Sequence, residues 1–267
     1  MAVHGHRRGP QPPGRVFYHA ALCRQAMKGQ GSSFTLTIAG QELMCRLATR
    51  KSRAVSLRYL RDEGVLVIAT PDGQLSAQAQ AFIREKSAWI LLRHQESQVY
   101  GSQRTRFESE LAAGRLLYHG DYVPLRVERS LQNRVRFVAG EVLLSLRNPE
   151  KDLRGWLLGG LRSLAKDYLT QRTLELAVAH GCVIENVRIK ELSSKWGSCS
   201  SKRNINLNWR LIFMPRSASD YIILHEFAHL KEMNHGPRFW KEVQRLCPGY
   251  EKEERMIKEY QWVLGLM

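Results

Sequence analysis

The sequence has no stretch near the roughly 18 consecutive apolar residues that a membrane span requires. It has little cysteine: Cys23, Cys45, Cys182, Cys199 and Cys247 are odd in number, widely spaced and without a C-x-x-C pair. That makes a poor disulfide framework and a poor thiolate zinc site, and it fits a reducing compartment. Export is not expected either, because Arg7-Arg8 runs into Gly-Pro-Gln-Pro-Pro-Gly where a signal peptide needs apolar residues. A membrane is therefore excluded as a partner, and the expected location is cytoplasmic. Like charges never run to five in a row, so no docking arm stands out. There is no solenoid-type repeat, and the two β-rich stretches share too little to mark a duplication.

What is present suits a globular protein. A chain of 267 residues, 43% hydrophobic and 25% charged, is long enough for one large domain or two small ones with buried cores. The unusual bulk quantity is charge: 41 Lys and Arg against 25 Asp and Glu, a net +16. The excess is spread over both halves, with 22 basic and 12 acidic residues in 1–150 and 19 and 13 in 151–267. Such a balance favours polyanions and raises nucleic acid as a partner class. The plainer reading is a generally basic soluble protein.

Residues 1–32 are rich in Gly and Pro, hold several bases and no acid, and read as a flexible basic tail. Short β-like runs follow at 34–38, 43–47, 54–59 and 65–69, then a helix from Leu75 to about Gln98. After a polar link, strands are expected at 115–118, 122–128, 135–138 and 142–146. Turns are marked by Gly120-Asp121 and Ala139-Gly140. Leu153, Leu157, Leu161, Leu164 and Tyr168 recur at helical spacing, predicting an amphipathic helix to about Ala179 that stops at His180-Gly181. A strand at 187–190 and a Ser/Gly-rich loop at 192–202 lead into the alternating run Asn204–Leu211. The expected fold class is α+β, with a flexible tail at 1–32, a β-rich N-terminal domain at 33–150 and a helical domain with a small sheet at 151–267.

The chemistry lies in that last part. A helix is expected after Pro215, capped by Ser217 or Ser219, and it contains His225-Glu226-Phe227-Ala228-His229. Residues four apart share a helix face, so both imidazoles can reach one metal ion. Glu226 is rotated by about 100° and can stand beside the metal as a general base. His235 would point away if the helix continued. Asn234 can take the left-handed conformation that ends a helix, and Gly236-Pro237 opens a new one, so His235 falls at a corner and can fold back as third ligand. Glu232 competes with it, either as a ligand or as an acceptor for a ligand histidine. Three neutral imidazoles with an open fourth position form the catalytic zinc pattern. The remaining histidines, His4, His6, His19, His94, His119 and His180, read as surface or incidental.

Lys195-Trp196-Gly197-Ser198-Cys199-Ser200, the run 205–211, His225–Leu230, Asn234–Trp240 and Cys247-Pro248-Gly249-Tyr250 together resemble the YgjP-like zinc metallopeptidases, relatives of the SprT-like proteases among the zincins. The resemblance covers roughly residues 34 to 262. It implies a helical zincin-type catalytic domain, a Zn2+ cofactor held by His225, His229 and His235, and Glu226 as the catalytic residue. It also implies peptide-bond hydrolysis of a protein or peptide substrate through a zinc-activated water. Phe227, Gly236 and Lys195 depart mildly from the family's usual residues and remove no catalytic group. The SprT-like relatives act on DNA-bound proteins, and with the basic excess this makes a nucleic-acid-associated module, or a protease recruited to nucleic acid through its basic surface, the alternative. A non-proteolytic amidohydrolase or a metal-bound scaffold is the third reading.

Several finer roles stay open at this stage. The polar edge of Asn204–Arg210 either binds an extended peptide by strand addition or is an interior strand. Tyr250, Tyr221 and Arg210 are candidates for an oxyanion helper. Trp196 is expected to pack on the catalytic helix, Gly197 to permit a turn, and Cys199 to be a small packed residue.

Overall fold

The computed structural model describes residues 33–266, so the tail reading at 1–32 and Cys23 lie outside the described residues. The fold is α+β, and the chain divides into two compact units between Val99 and Tyr100.

The first unit holds a four-stranded sheet built from β1 (Ser33–Ile38), β2 (Gln41–Thr49), β3 (Ser56–Leu60) and β4 (Val65–Thr70) in the order β1-β2-β4-β3. Its core is apolar and small, with Leu43, Leu66, Ile68 and Ile90 inaccessible to solvent. α1 (Ala77–Glu85) starts at Ser76, whose side chain accepts from Ala79 N, and α2 (Ser87–Ala112) follows at once. The single helix expected at 75–98 is therefore two, and the polar link after it is helical to Ala112. The reason is visible in α2. Ile90 belongs to the first unit's core while Tyr100 and Phe107 belong to the second's, so no single apolar stripe marks the whole helix.

The second unit opens with β5 (Arg115–Tyr118), β6 (Asp121–Arg129), β7 (Arg134–Val138) and β8 (Glu141–Leu146), ordered β5-β6-β8-β7. Both sheets join two antiparallel hairpins by a central parallel pair, β2 with β4 and β6 with β8. Strand order thus repeats where the residues showed no duplication. Hairpin turns explain part of the likeness: Ala39-Gly40, His119-Gly120 and Ala139-Gly140 all have positive φ at both positions. Two-residue turns of this kind match strand twist. The turn expected at Gly120-Asp121 therefore sits one residue earlier.

α3 (Leu153–Ala179) begins at Asp152, which accepts from Gly155 N, and ends at His180 as expected. β9 (Asn186–Lys190), β10 (Gly197–Cys199) and β11 (Asn204–Asn208) form a small sheet in the order β10-β11-β9. The alternating run stops being a strand at Asn208. Its side chain accepts from Arg210 N and starts a 3₁₀ turn over Trp209–Phe213. α4 (Arg216–Ala228), α5 (Pro237–Leu246) and α6 (Tyr250–Glu259) complete the unit, with a final 3₁₀ turn at Gln261–Gly265.

α4 starts at Pro215 with no side-chain cap. Ser219 lies inside it instead, donating to Leu211 O at 2.8 Å. The β5–β6 turn is bonded to the segment leading into α4, through His119 N to Ile212 O and Gly120 N to Phe213 O. A Cβ at Gly120 would lie 2.7 Å from Pro215 Cγ, so glycine permits that approach. Among the described residues no helix is long and apolar enough to cross a membrane.

Candidate metal centre

α4 is buried over most of its surface, from Tyr221 through Leu224 and again at Glu226–Ala228, and this fixes which way its polar residues can face. His225 and His229 emerge on one side, one turn apart, with ring centroids 5.3 Å apart. The helix then ends at His229. Lys231 N and Glu232 N both bond to Ala228 O, a tight closing turn. Asn234 is not among the described residues with positive φ, so the expected left-handed stop at Asn234 is not used. The reversal comes from the turn at 228–232 and from Gly236, which begins α5.

His235 returns on this reversal. Its Nε2 lies 3.1 Å from His225 Nε2, and its ring centroid is 4.7 Å from that of His229. One nitrogen from each of the three rings falls within 4.8 Å of the other two. His229 Nδ1 is 3.1 Å from the main-chain oxygen of Glu232, to which a protonated Nδ1 donates, directing its Nε2 lone pair away from that bond. Glu232 is thus an acceptor for a histidine, as one of its two expected roles required, but through its backbone rather than its carboxylate. Among the described residues its carboxylate is not part of the group that the three histidines form.

Phe239, fully buried at the start of α5, packs against all three imidazoles at 4.5–4.9 Å between centroids. Trp240 flanks His225 and His235 and stacks on Tyr250, which in turn stacks on Tyr221. Sequence reasoning missed Phe239. The available signal was its i, i+4 spacing to the equally buried Val243 in a helix opened by Pro237.

Glu226 faces β10. A Cβ at Gly197 would lie 2.6 Å from Glu226 Oε1 and 2.9 Å from its Cγ, so only glycine lets this strand pass. The turn expected at Gly197 is replaced by a strand in close contact with the helix. Glu226 is 6% exposed and its Oε2 has no hydrogen-bond partner among the described residues. Burial pushes its carboxyl up to about 8, with Lys195 pulling the other way. Burial also takes His225 down to about 4, helped by the positive charge of His229 and His235 when protonated. Neutral imidazoles are the state in which these rings offer lone pairs.

The donor set fits a divalent cation. Tetrahedral bonds of 2.0–2.1 Å place neighbouring nitrogens about 3.3 Å apart, near the His225–His235 separation. Two imidazole nitrogens facing each other, with a third within 4.8 Å, form a cluster that a cation would satisfy.

The other candidates fall elsewhere. Arg210 is buried, donates from Nε and a terminal nitrogen to Leu266 O, and pairs with Glu191 at 2.8 Å. These bonds tie it to the C-terminal segment and to Glu191. β11 is the central strand of its sheet, paired on both sides, so strand addition along Asn204–Arg210 is ruled out and the interior reading holds. Trp196 is buried and donates Nε1 to Gln261 Oε1 at 3.3 Å, toward the C-terminal turn. The thiols of Cys45, Cys182, Cys199 and Cys247 are unpaired. His119 is not incidental: its ring sits between those of Tyr118 and Tyr168 at 4.3 and 4.4 Å.

No curated protein matches this sequence. Two solved structures are similar over a short stretch. The metallopeptidase zymogen of Pyrococcus abyssi abylysin is 27% identical over 33% of this chain and 90% of its own, with a TM-score of 0.31. That of Methanocaldococcus jannaschii jannalysin is 26% identical over 34% of this chain and 91% of its own, with a TM-score of 0.30. The sequence profile of the YgjP-like metallopeptidase domain matches residues 53–260, and with most of its length covered this chain belongs to the YgjP-like metallopeptidase family.

Proposed function

We propose that this metallopeptidase hydrolyses peptide bonds with a zinc ion held by His225, His229 and His235 and with Glu226 as general base. Bound zinc would act as a Lewis acid, bringing the pKa of a water toward about 7 and polarising the substrate carbonyl. Glu226 then takes the proton of that water on Oε2 and returns it to the departing amine nitrogen. Its burial suits the second half of that task, because a carboxyl raised from its ordinary value holds a proton long enough to pass it on, while a nearby dication would favour the ionised form that the first half needs.

The substrate class follows from the family, a protein or peptide. Its docking is supported by β10, an edge strand. Asn208 N bonds to Trp196 O and Ser200 N to Asn204 O, so residues 196, 198 and 200 turn their main-chain groups toward β11. The N–H and C=O of Gly197 and Cys199 then face the outer edge, beside Glu226, where an extended peptide can pair with them.

The observation that carries the proposal is the convergence of three imidazole nitrogens within 4.8 Å of one another, with an unpaired buried carboxylate on the same helix. Glu226→Gln is expected to retain one zinc per chain by metal analysis. Its cleavage of a peptide library should fall by about 10²-fold or more, the share a positioned general base supplies. Cleavage at the wild-type rate would falsify the role of Glu226.

A further inference from the structure

β7 lies at the edge of its sheet, and a cavity of about 490 Å³ runs between it and α3. One wall is β7 itself. The other is a stripe of α3 made by Trp156, Gly159, Gly160, Ser163 and Asp167, residues that recur at three- and four-residue spacing. Helix and strand approach closely at Gly160, where a Cβ would lie 1.9 Å from Val135 Cγ2. At Gly159 an added Cβ meets nothing within 4 Å, so the groove is open there.

The strand presents its polar backbone to this groove. Val138 and Glu141 flank a two-residue turn and pair with each other, so Arg134, Arg136 and Val138 bond toward β8. The main-chain groups of Val135 and Phe137 therefore point outward along the sheet edge. Side chains alternate in the other sense. Val135 and Phe137 lie on the α3 side, where Phe137 stacks on Tyr118, while Arg134 and Arg136 are exposed on the opposite face. Neither guanidinium has an ion pair or hydrogen bond among the described residues.

We infer that this groove binds an extended polypeptide as a fifth strand on β7, with acidic side chains beside Arg134 and Arg136 and small apolar ones facing Gly159. Outward N–H and C=O groups at a two-residue period match another strand, and cross-strand opposite charges stabilise such pairs. Asp167 on the helical wall disfavours a phosphodiester backbone in the same place. This site is separate from the histidine cluster and goes beyond the hydrolytic reading, so binding alone tests it.

The test is fluorescence anisotropy of the full chain, with EDTA present, using labelled (Val-Glu)4 and (Val-Lys)4 peptides and an eight-residue oligothymidylate. (Val-Glu)4 is expected to bind at least tenfold more tightly than either of the others. Gly159→Leu, which fills the open side, should weaken it tenfold or more while the melting temperature is maintained. The double variant Arg134→Glu/Arg136→Glu should transfer the preference to (Val-Lys)4. Absence of binding by (Val-Glu)4, unchanged affinity in both variants, or tighter binding of the oligothymidylate would each overturn the inference.

Discussion

At position 197 the side chain is a hydrogen atom, and this sets how near β10 runs to Glu226. In Gly197→Ala the new methyl would press on the Glu226 side chain, 2.6 Å from Oε1 and 2.9 Å from Cγ, and would push the carboxylate aside. The expected outcome is a fall of at least tenfold in kcat/KM for peptide cleavage with zinc content unchanged, read by metal analysis on the same sample. His119 raises a different residue-scale question. Neither ring nitrogen makes a well-formed hydrogen bond among the described residues, and burial, assisted by the positive Arg216 and opposed by the main chain of Met214, takes it down to about 4. Its value in the unfolded chain is near 6.5, so its contribution to stability is complete above about pH 6.5 and is lost as pH falls toward 4. A shift of this size corresponds to at most about 3 kcal/mol. Urea unfolding between pH 7.5 and 4.5 should be visibly less pH-dependent in His119→Asn, a residue that tolerates the positive φ at this turn. Parallel profiles would remove His119 from the acid sensitivity.

Between the end of α4 and the start of α5, the corner carrying His235 is tied by charge. Glu242 on α5 pairs with Lys231 at 2.8 Å and with Arg245 at 2.6 Å. Arg245 first and Lys231 second hold its carboxyl down to about 2. Because that value is depressed on folding, the stabilisation is present above the usual carboxylate range and disappears as pH falls toward 2. Lys231 and Arg245 are largely exposed, so screening limits the effect to about 1 kcal/mol. Glu242→Gln should cost about that much in urea unfolding at pH 7 and should weaken zinc retention in chelator competition. Unaltered zinc affinity would mean that the corner is held by Phe239 packing alone. Elements such as α3 and β9 were readable from periodicity, since α3 has one buried face and β9 alternates half-buried with exposed residues. β10, α6 and the second half of α2 were not: β10 is a three-residue strand, α6 has only Tyr250, Met256 and Ile257 as apolar residues, and α2 is shared by two cores.

Two cores imply two partly independent stabilities for the whole molecule. Ile68 is fully buried in the first unit, and Ile68→Ala should destabilise that unit by about 2–5 kcal/mol. Hydrogen exchange should quicken across β1–β4 while zinc content in the second unit holds; loss of zinc would show that the two cores unfold together. The net +16 also looks different at this scale. Arg46, Arg93, Arg115, Arg126, Arg129, Arg154, Arg162, Arg172, Arg210 and Arg245 all have acidic partners, but such pairs cancel in charge, so the net +16 is carried by other bases.

By itself the sequence determined that His225, Glu226 and His229 share a helix and that the chain reverses near His235. Those are consequences of helical geometry and of Gly236-Pro237, both local. Tertiary structure alone decided that Gly197 meets Glu226, that the carbonyl of Glu232 bonds His229, that Phe239 underlies all three rings and that β11 is walled in on both sides. Each depends on which segments lie beside one another in space, and chain-local spacing carries no record of that.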